Sequence, residues 1–202
     1  MRDDDRLSSY RGKRDFSTSP EPGGTRSGGG DPIFVIQEHD ASTHHFDLRI
    51  EVDGVLKSWS VPKGPSTDPS EKRLAIPTED HPVDYADFEG VIPEDQYGGG
   101  TVLIWDRGPY RNLRADTNDG GPTMAEAYDD GKIEVWLEGA KVSGGYALVR
   151  TGSQDDPDAR WLLVKMDDDE ADARRKPTST EPESVASGRE LDDIAEQETD
   201  DS

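Results

Sequence analysis

His45-Phe46-Asp47-Leu48-Arg49-Ile50-Glu51-Val52 alternates between polar and apolar side chains, Asp53-Gly54 follows, and Val55-Leu56-Lys57-Ser58-Trp59-Ser60-Val61 resumes a β-rich run. Successive side chains of a strand point to opposite faces. Phe46, Leu48, Ile50 and Val52 therefore share one face, and His45, Asp47, Arg49 and Glu51 share the other. Two such runs joined by Asp-Gly, which tolerates positive φ, predict a β-hairpin. The apolar face can build a core. The other carries an imidazole, two carboxylates and a guanidinium in a row, a set that suits a bound metal beside an anion.

Outward from the hairpin the pattern stays β. Ile33 to Ile36, Arg73 to Ile76, Thr101 to Trp105, Lys132 to Leu137, Tyr146 to Arg150 and Trp161 to Met166 are further strand segments. Eight short strands predict a mainly β fold, a barrel or a sandwich. One short flanking helix is expected, with Thr123 and Glu126 as a capping box around Met124 to Tyr128 and Gly131 at its end. Trp59, Trp105, Trp136 and Trp161 fall inside strand segments and are expected in the core. Gly98-Gly99-Gly100 lacks the ending of a nucleotide-binding loop and reads as a turn before Thr101.

Residues 1–30 mix charge with Pro20, Pro22 and several glycines, which predicts a flexible arm. Residues 167–202 are acidic, with only a weak Leu191/Ile194 pair, and predict a disordered tail. The domain between them is expected over residues 31–166. With 202 residues of which 30% are hydrophobic, one modest core is expected. The absence of cysteine excludes disulfides, zinc-thiolate sites and cysteine nucleophiles. Met1 to Asp5 is charged and no long apolar run follows, so neither a signal peptide nor a membrane span is expected and the cytoplasm is the default location.

The formal net charge of −22 would ordinarily argue against nucleic acid. Its distribution qualifies that. Residues 1–30 hold 5 acids and 6 bases, residues 31–166 hold 26 and 13, and residues 167–202 hold 14 and 4. An acidic interaction tail is one explanation. The spread of acids through the folded part favours another, a halophile's protein kept hydrated by its carboxylates.

All four histidines lie between positions 39 and 81. His39, His45 and Asp47 offer two imidazoles and a carboxylate, borderline ligands suited to manganese, iron or zinc with positions left open for water or substrate. Alone, each histidine would be an ordinary surface group; the shared face of His45 and Asp47 argues for a site. His44 points the other way and receives no role. Lys63, Arg73, His81 and Tyr85 could join Arg49 in holding a phosphate, arginine through its fork of donors and histidine by protonating a leaving oxygen.

At this point the residues resemble a known family. His39-Asp40-Ala41-Ser42, His45-Phe46-Asp47-Leu48-Arg49, Leu56-Lys57-Ser58-Trp59, Val61-Pro62-Lys63-Gly64-Pro65, Glu79-Asp80-His81-Pro82, Tyr85-Ala86-Asp87-Phe88-Glu89-Gly90 and Ile92-Pro93-Glu94 resemble the 3′-phosphoesterase module of bacterial DNA ligase D and its stand-alone archaeal relatives. The resemblance spans residues 10 to 166. Lys13-Arg14-Asp15-Phe16 and Pro20-Glu21-Pro22 resemble the family's leader, which implies that part of the arm orders over the site.

The resemblance implies a compact, closed or partly closed β-barrel that uses manganese, or another divalent metal, at the 3′ ends of DNA or of DNA/RNA primer-templates. It removes a 3′-terminal ribonucleoside and then the 3′-phosphate, leaving a 3′-hydroxyl. By that resemblance His39, His45 and Asp47 match the metal ligands, and Arg49, His81 and Tyr85 match residues around the scissile phosphate. Lys63, Arg73 and Glu79 match supporting active-site positions. Glu38 and Thr43 stand where relatives often carry a basic residue, and His44 where they often carry an apolar one, departures that bear on DNA affinity rather than on chemistry. The length leaves no room for a polymerase or ligase module, so a separate ligase or polymerase is expected to use the healed end. Two other functions fit parts of the pattern: a non-haem iron oxygenase, which shares the two-histidine, one-carboxylate set, and a non-catalytic DNA-end or protein-binding module.

Overall fold

The structure, a computed structural model, describes residues 6–25, 29–115 and 120–200. Strand β1 (Ile33–Asp40) pairs antiparallel with β2 (His44–Val52), and the turn at Asp53-Gly54 leads into β3 (Val55–Val61). Asp53 has φ 48° and Gly54 φ 82°, both in the left-handed region that this dipeptide tolerates. There follow β4 (Lys72–Pro82), a 3₁₀ turn (Val83–Asp87), β5 (Gly90–Ile92) and the long β6 (Gly100–Asn112). The chain then runs through β7 (Lys132–Glu138), β8 (Ser143–Arg150) and β9 (Trp161–Lys165).

All pairings are antiparallel, in the order β1-β2-β3-β4-β9-β8-β7-β6, and β6 pairs back onto β1. Eight strands thus close a barrel, with β5 as an additional strand on β6. Closure removes the exposed edges that an open sheet would present. Gly108 lies where β6 leaves β1 and approaches β7; a Cβ there would collide with the carbonyl oxygen of Glu138.

The barrel is filled by one cluster that includes Phe34, Ile36, Phe46, Leu48, Ile50, Trp59, Leu103, Trp105, Val135, Tyr146 and Trp161. Each such side chain contributes about 1.5–3 kcal/mol when fully buried. Trp136 does not join them. Ile133, Val135 and Leu137 face inward on β7, so Trp136 between them faces out, half-buried under the Arg111 guanidinium. A second cluster, with Val35, Leu56, Tyr85, Phe88, Val102 and Ile104, lies on the opposite face of the same strands and is covered by Tyr10 from the N-terminal segment. The outer wall of the barrel therefore has a core of its own.

Residues 6–25, expected to be flexible, lie against that outer wall. Helix α1 (Ser8–Gly12) buries Tyr10 completely, and its hydroxyl donates to the Pro22 carbonyl at 2.6 Å. Helix α2 (Met124–Asp130) has the expected capping box, and Gly131 ends it at φ 76°. Residues 167–200, expected to be disordered, also pack on the barrel. The short α3 (Pro177–Thr180) precedes a strap whose Glu181 carbonyl accepts from Trp105 Nε1 at 2.8 Å and from Lys141 Nζ at 2.8 Å. In α4 (Leu191–Asp200), Ile194 is fully buried in the barrel cluster with Leu191 beside it. The barrel supplies the apolar gap and polar partners that the tail's composition alone does not reveal. Residues 1–5 and 26–28 of the expected arm, and 201–202 of the expected tail, lie outside the described residues. Among the described residues no helix is long and apolar enough to cross a membrane.

Candidate metal centre

The expected alternation along β2 holds: Phe46, Leu48 and Ile50 enter the barrel, and Asp47 and Arg49 stand on the outer wall. Antiparallel pairing sets His39 of β1 directly opposite His45, and Gln37 opposite Asp47. The result is a group in which one ligand atom each from His39, His45 and Asp47 lies within 4.8 Å of the others.

The hydrogen bonds fix which nitrogens face inward. His39 Nε2 is 2.9 Å from the Gly98 carbonyl and His45 Nδ1 is 2.7 Å from the Thr43 carbonyl. A carbonyl can only accept, so these nitrogens carry the protons. The other two, His39 Nδ1 and His45 Nε2, face the Asp47 carboxylate at 3.5 and 3.4 Å. In neutral rings these are lone pairs turned toward an anion, an arrangement that a shared cation satisfies. Burial opposes the charge on Asp47, but Arg49 and the two histidines outweigh it and hold the carboxyl well below the usual carboxylate range. Burial likewise disfavours protonation of His45, yet Asp47 and the Thr43 carbonyl together more than offset it and raise the ring's pKa. The donor set thus fits a divalent ion. His44 turns away, as expected, to Glu38 at 2.7 Å.

Arg49 adjoins the group. Its Nε donates to Gln37 Oε1 at 2.8 Å, its Nη2 to Asp47 Oδ2 at 3.2 Å, and its guanidinium lies 4.7 Å from the Tyr85 ring centre. Gln37 is itself held by the carbonyls of Tyr85 and Phe88, both at 2.9 Å. Arg49 Nη1 is buried and has no hydrogen-bond partner among the described residues. An unmet buried donor costs about 1–3 kcal/mol, so this one marks a place for an anionic ligand.

His81 sits across the same cavity of about 330 Å³, which Arg14, Glu21, Glu79 and Tyr97 also line. Its Nδ1 is 2.9 Å from the Glu79 carbonyl and its Nε2 is 3.4 Å from Arg14 Nη2. Burial, with Arg49 and Arg14 nearby, lowers its pKa well below that of a free histidine, so the ring is neutral with its lone pair on Nε2. Tyr85 donates its hydroxyl to Glu21 Oε1 at 3.0 Å. Glu21 also binds Arg14 Nε at 2.9 Å, and Arg14 Nη1 reaches Glu79 Oε1 at 3.1 Å. Lys13 completes the network at 3.2 Å from Glu79 Oε2.

Of the nine residues expected at the site, seven meet in this cavity: His39, His45, Asp47, Arg49, Glu79, His81 and Tyr85. Lys63 and Arg73 do not. Lys63 is exposed beyond the end of β3, and Arg73 pairs with Glu71 at 2.9 Å. Arg73 precedes Glu79 by six strand residues, roughly 20 Å of extended chain, which puts it at the far end of β4. Gln37 was not anticipated as a site residue, although its place two residues before His39 on the same strand face was a usable signal. Arg14 and Glu21 were legible only through the resemblance of their segments.

Comparison with known proteins identifies the family. Residues 37–150 match the DNA ligase D 3′-phosphoesterase domain, and the chain belongs to that family. It is 44% identical over 190 residues to the multifunctional non-homologous end joining protein LigD of Pseudomonas aeruginosa, covering 92% of this chain and 22% of that protein. It is 46% identical over 168 residues to the corresponding DNA repair protein of Mycobacterium tuberculosis, covering 80% and 20%. The chain thus spans about a fifth of the length of these relatives.

Proposed function

We propose that this chain is a manganese-dependent 3′-phosphoesterase that heals DNA ends, removing a 3′-terminal ribonucleoside and then the 3′-phosphate from DNA or a DNA/RNA primer-template. The observation that carries the reading is the convergence of His39, His45 and Asp47 beside the unpartnered Nη1 of Arg49. His39, His45 and Asp47 would hold the divalent ion, which would supply positive charge to the phosphate oxygens. Arg49 Nη1 donates to a phosphate oxygen, with Gln37 and Tyr85 fixing the guanidinium in place.

His81 begins neutral, so it takes a proton at Nε2 from the attacking water before it can return one to the leaving oxygen. That order differs from the direct protonation suggested by the sequence. Tyr85 acts through Glu21 and Arg49 rather than by an ionised hydroxyl, because burial raises its pKa well above the usual tyrosine value. Arg14 and Lys13 add positive charge at the side of the cavity formed by the arm. Arg49 and Arg14 beside the metal group favour a phosphate ester over the substrate of an oxygenase, which shares the two-histidine, one-carboxylate set. In this reading a separate ligase or polymerase takes up the 3′-hydroxyl, in the cytoplasm.

The test is release of inorganic phosphate from a 3′-phosphorylated primer-template as manganese is titrated. Activity that rises with manganese and vanishes in chelator is expected. DNA binding without hydrolysis in manganese, magnesium, cobalt or zinc would leave only the non-catalytic binding module.

A further inference from the structure

Four large apolar side chains are exposed among the described residues, and Tyr97, 48% exposed, is the one that lines the metal cavity. Its position is closely set. Gln96 N donates to the Pro93 carbonyl at 2.9 Å and Gly99 N to the Gln96 carbonyl at 3.1 Å, making a tight turn around Tyr97. Gly98, the next residue, has φ 76° and supplies the carbonyl that fixes His39. A Cβ on Gly99 would fall 2.7 Å from the Pro93 carbonyl oxygen, so the turn is closely packed. The ring is therefore registered against the metal group through the backbone.

Two cations accompany it. Lys13 Nζ lies 4.6 Å from the ring centre and 3.3 Å from the hydroxyl, and Arg14 lies 5.4 Å from the ring centre. Both cations are braced by Glu79. A half-exposed aromatic ring with two cations set over it, at the mouth of the cavity where the proposed reaction places a phosphate, has the makeup of single-strand binding surfaces, where bases stack on rings while cations meet the backbone. Burial in a core does not explain a half-exposed ring held this firmly.

Resting on the phosphoesterase reading above, we infer that Tyr97 is the platform on which the terminal base of a 3′-phosphorylated strand stacks. It is a specificity-determining residue for ends that carry a base, and it tolerates any base because every base offers a π face. Lys13 steadies the ring and adds charge beside the strand.

The experiment uses the full chain and a primer-template ending in 3′-phosphate, with 2-aminopurine as the terminal base. In chelator, so that nothing turns over, the wild-type protein should quench the probe, Tyr97→Trp should retain the quenching and Tyr97→Ala should lose it. In manganese, Tyr97→Ala should raise KM by about fivefold or more, the size expected for one lost base stack, with the loss falling on KM more than on kcat. On an abasic 3′-phosphate end the gap between wild type and Tyr97→Ala should close. A gap of equal size on abasic and base-bearing ends, or quenching unchanged in Tyr97→Ala, would overturn the inference. Failure of the wild-type protein to hydrolyse any 3′ end would instead sink the phosphoesterase reading, and quenching would still judge the stacking. Circular dichroism shows whether the alanine variant has folded.

Discussion

At the scale of single residues, His44 and His45 are adjacent and opposite. One reaches Glu38; the other joins Asp47 and His39. Alanine at 39, 45 or 47 removes one donor from the metal group and should cut phosphate release by about a hundredfold or more, whereas His44→Ala should be close to silent. Calorimetric titration with manganese should show the same division; an inactive His44→Ala beside an active His45→Ala would overturn the register. His81 should behave differently. It lies outside the ligand group, so its loss should cut rate and spare metal binding.

The neutral state of His81 also has a thermodynamic consequence. Its folded pKa is depressed, so the unfolded chain binds the proton first, near its ordinary value of about 6.5. Its contribution to stability is present above that pH and is lost as pH falls below it. His45, with a raised folded pKa, contributes in the opposite direction over the same range, so the comparison must isolate His81. The melting temperature of wild type should therefore drop more steeply than that of His81→Gln between about pH 7 and pH 5; parallel slopes would mean that His81 titrates normally.

At the scale of elements, the tail offers the sharpest measurement. Ile194 is fully buried, and removing it should leave a cavity that costs about 2–5 kcal/mol if the surroundings do not relax. Urea unfolding of Ile194→Ala tests this, since a disordered tail would give no change. How legible each element was follows from what its residues face. The strands β2, β3, β7, β8 and β9 were plain in the sequence because apolar side chains fill the barrel and supply the period. The second half of β4 was not, because Thr78, Glu79 and His81 face the cavity and Pro77 interrupts the run. Gly108-Pro109 likewise hid the length of β6, although the glycine is there for a close backbone approach. Three residues of β5 carry too little pattern to read. The grouping of His39, His45 and Asp47 was visible from spacing and alternation. Gln37, Arg14 and Glu21 reach the site through pairing and packing across the fold, which local patterns do not encode.

At the scale of the whole molecule the charge dominates. With 45 acids against 23 bases, repulsion acts within the protein and toward DNA. At molar salt the Debye length is about 3 Å, so that repulsion is screened while the short contacts around Asp47 and Arg49 survive. Folding and activity should therefore persist or improve in molar potassium chloride, the behaviour of a halophile's protein. Circular dichroism and phosphate release across a salt series decide it. A steep fall in activity between low and moderate salt, with the fold unchanged, would refute the halophilic reading.

The alternation along His45 to Val52 makes this strand resemble a reading frame. Core and chemistry are spelled in alternate letters of one short text, and each letter keeps its meaning only while the spacing holds. Deleting a single residue between Phe46 and Ile50 would exchange the two messages from that point on, turning charged groups into the filled interior and apolar ones toward the cavity. This strand therefore tolerates substitution in place but not a change of length.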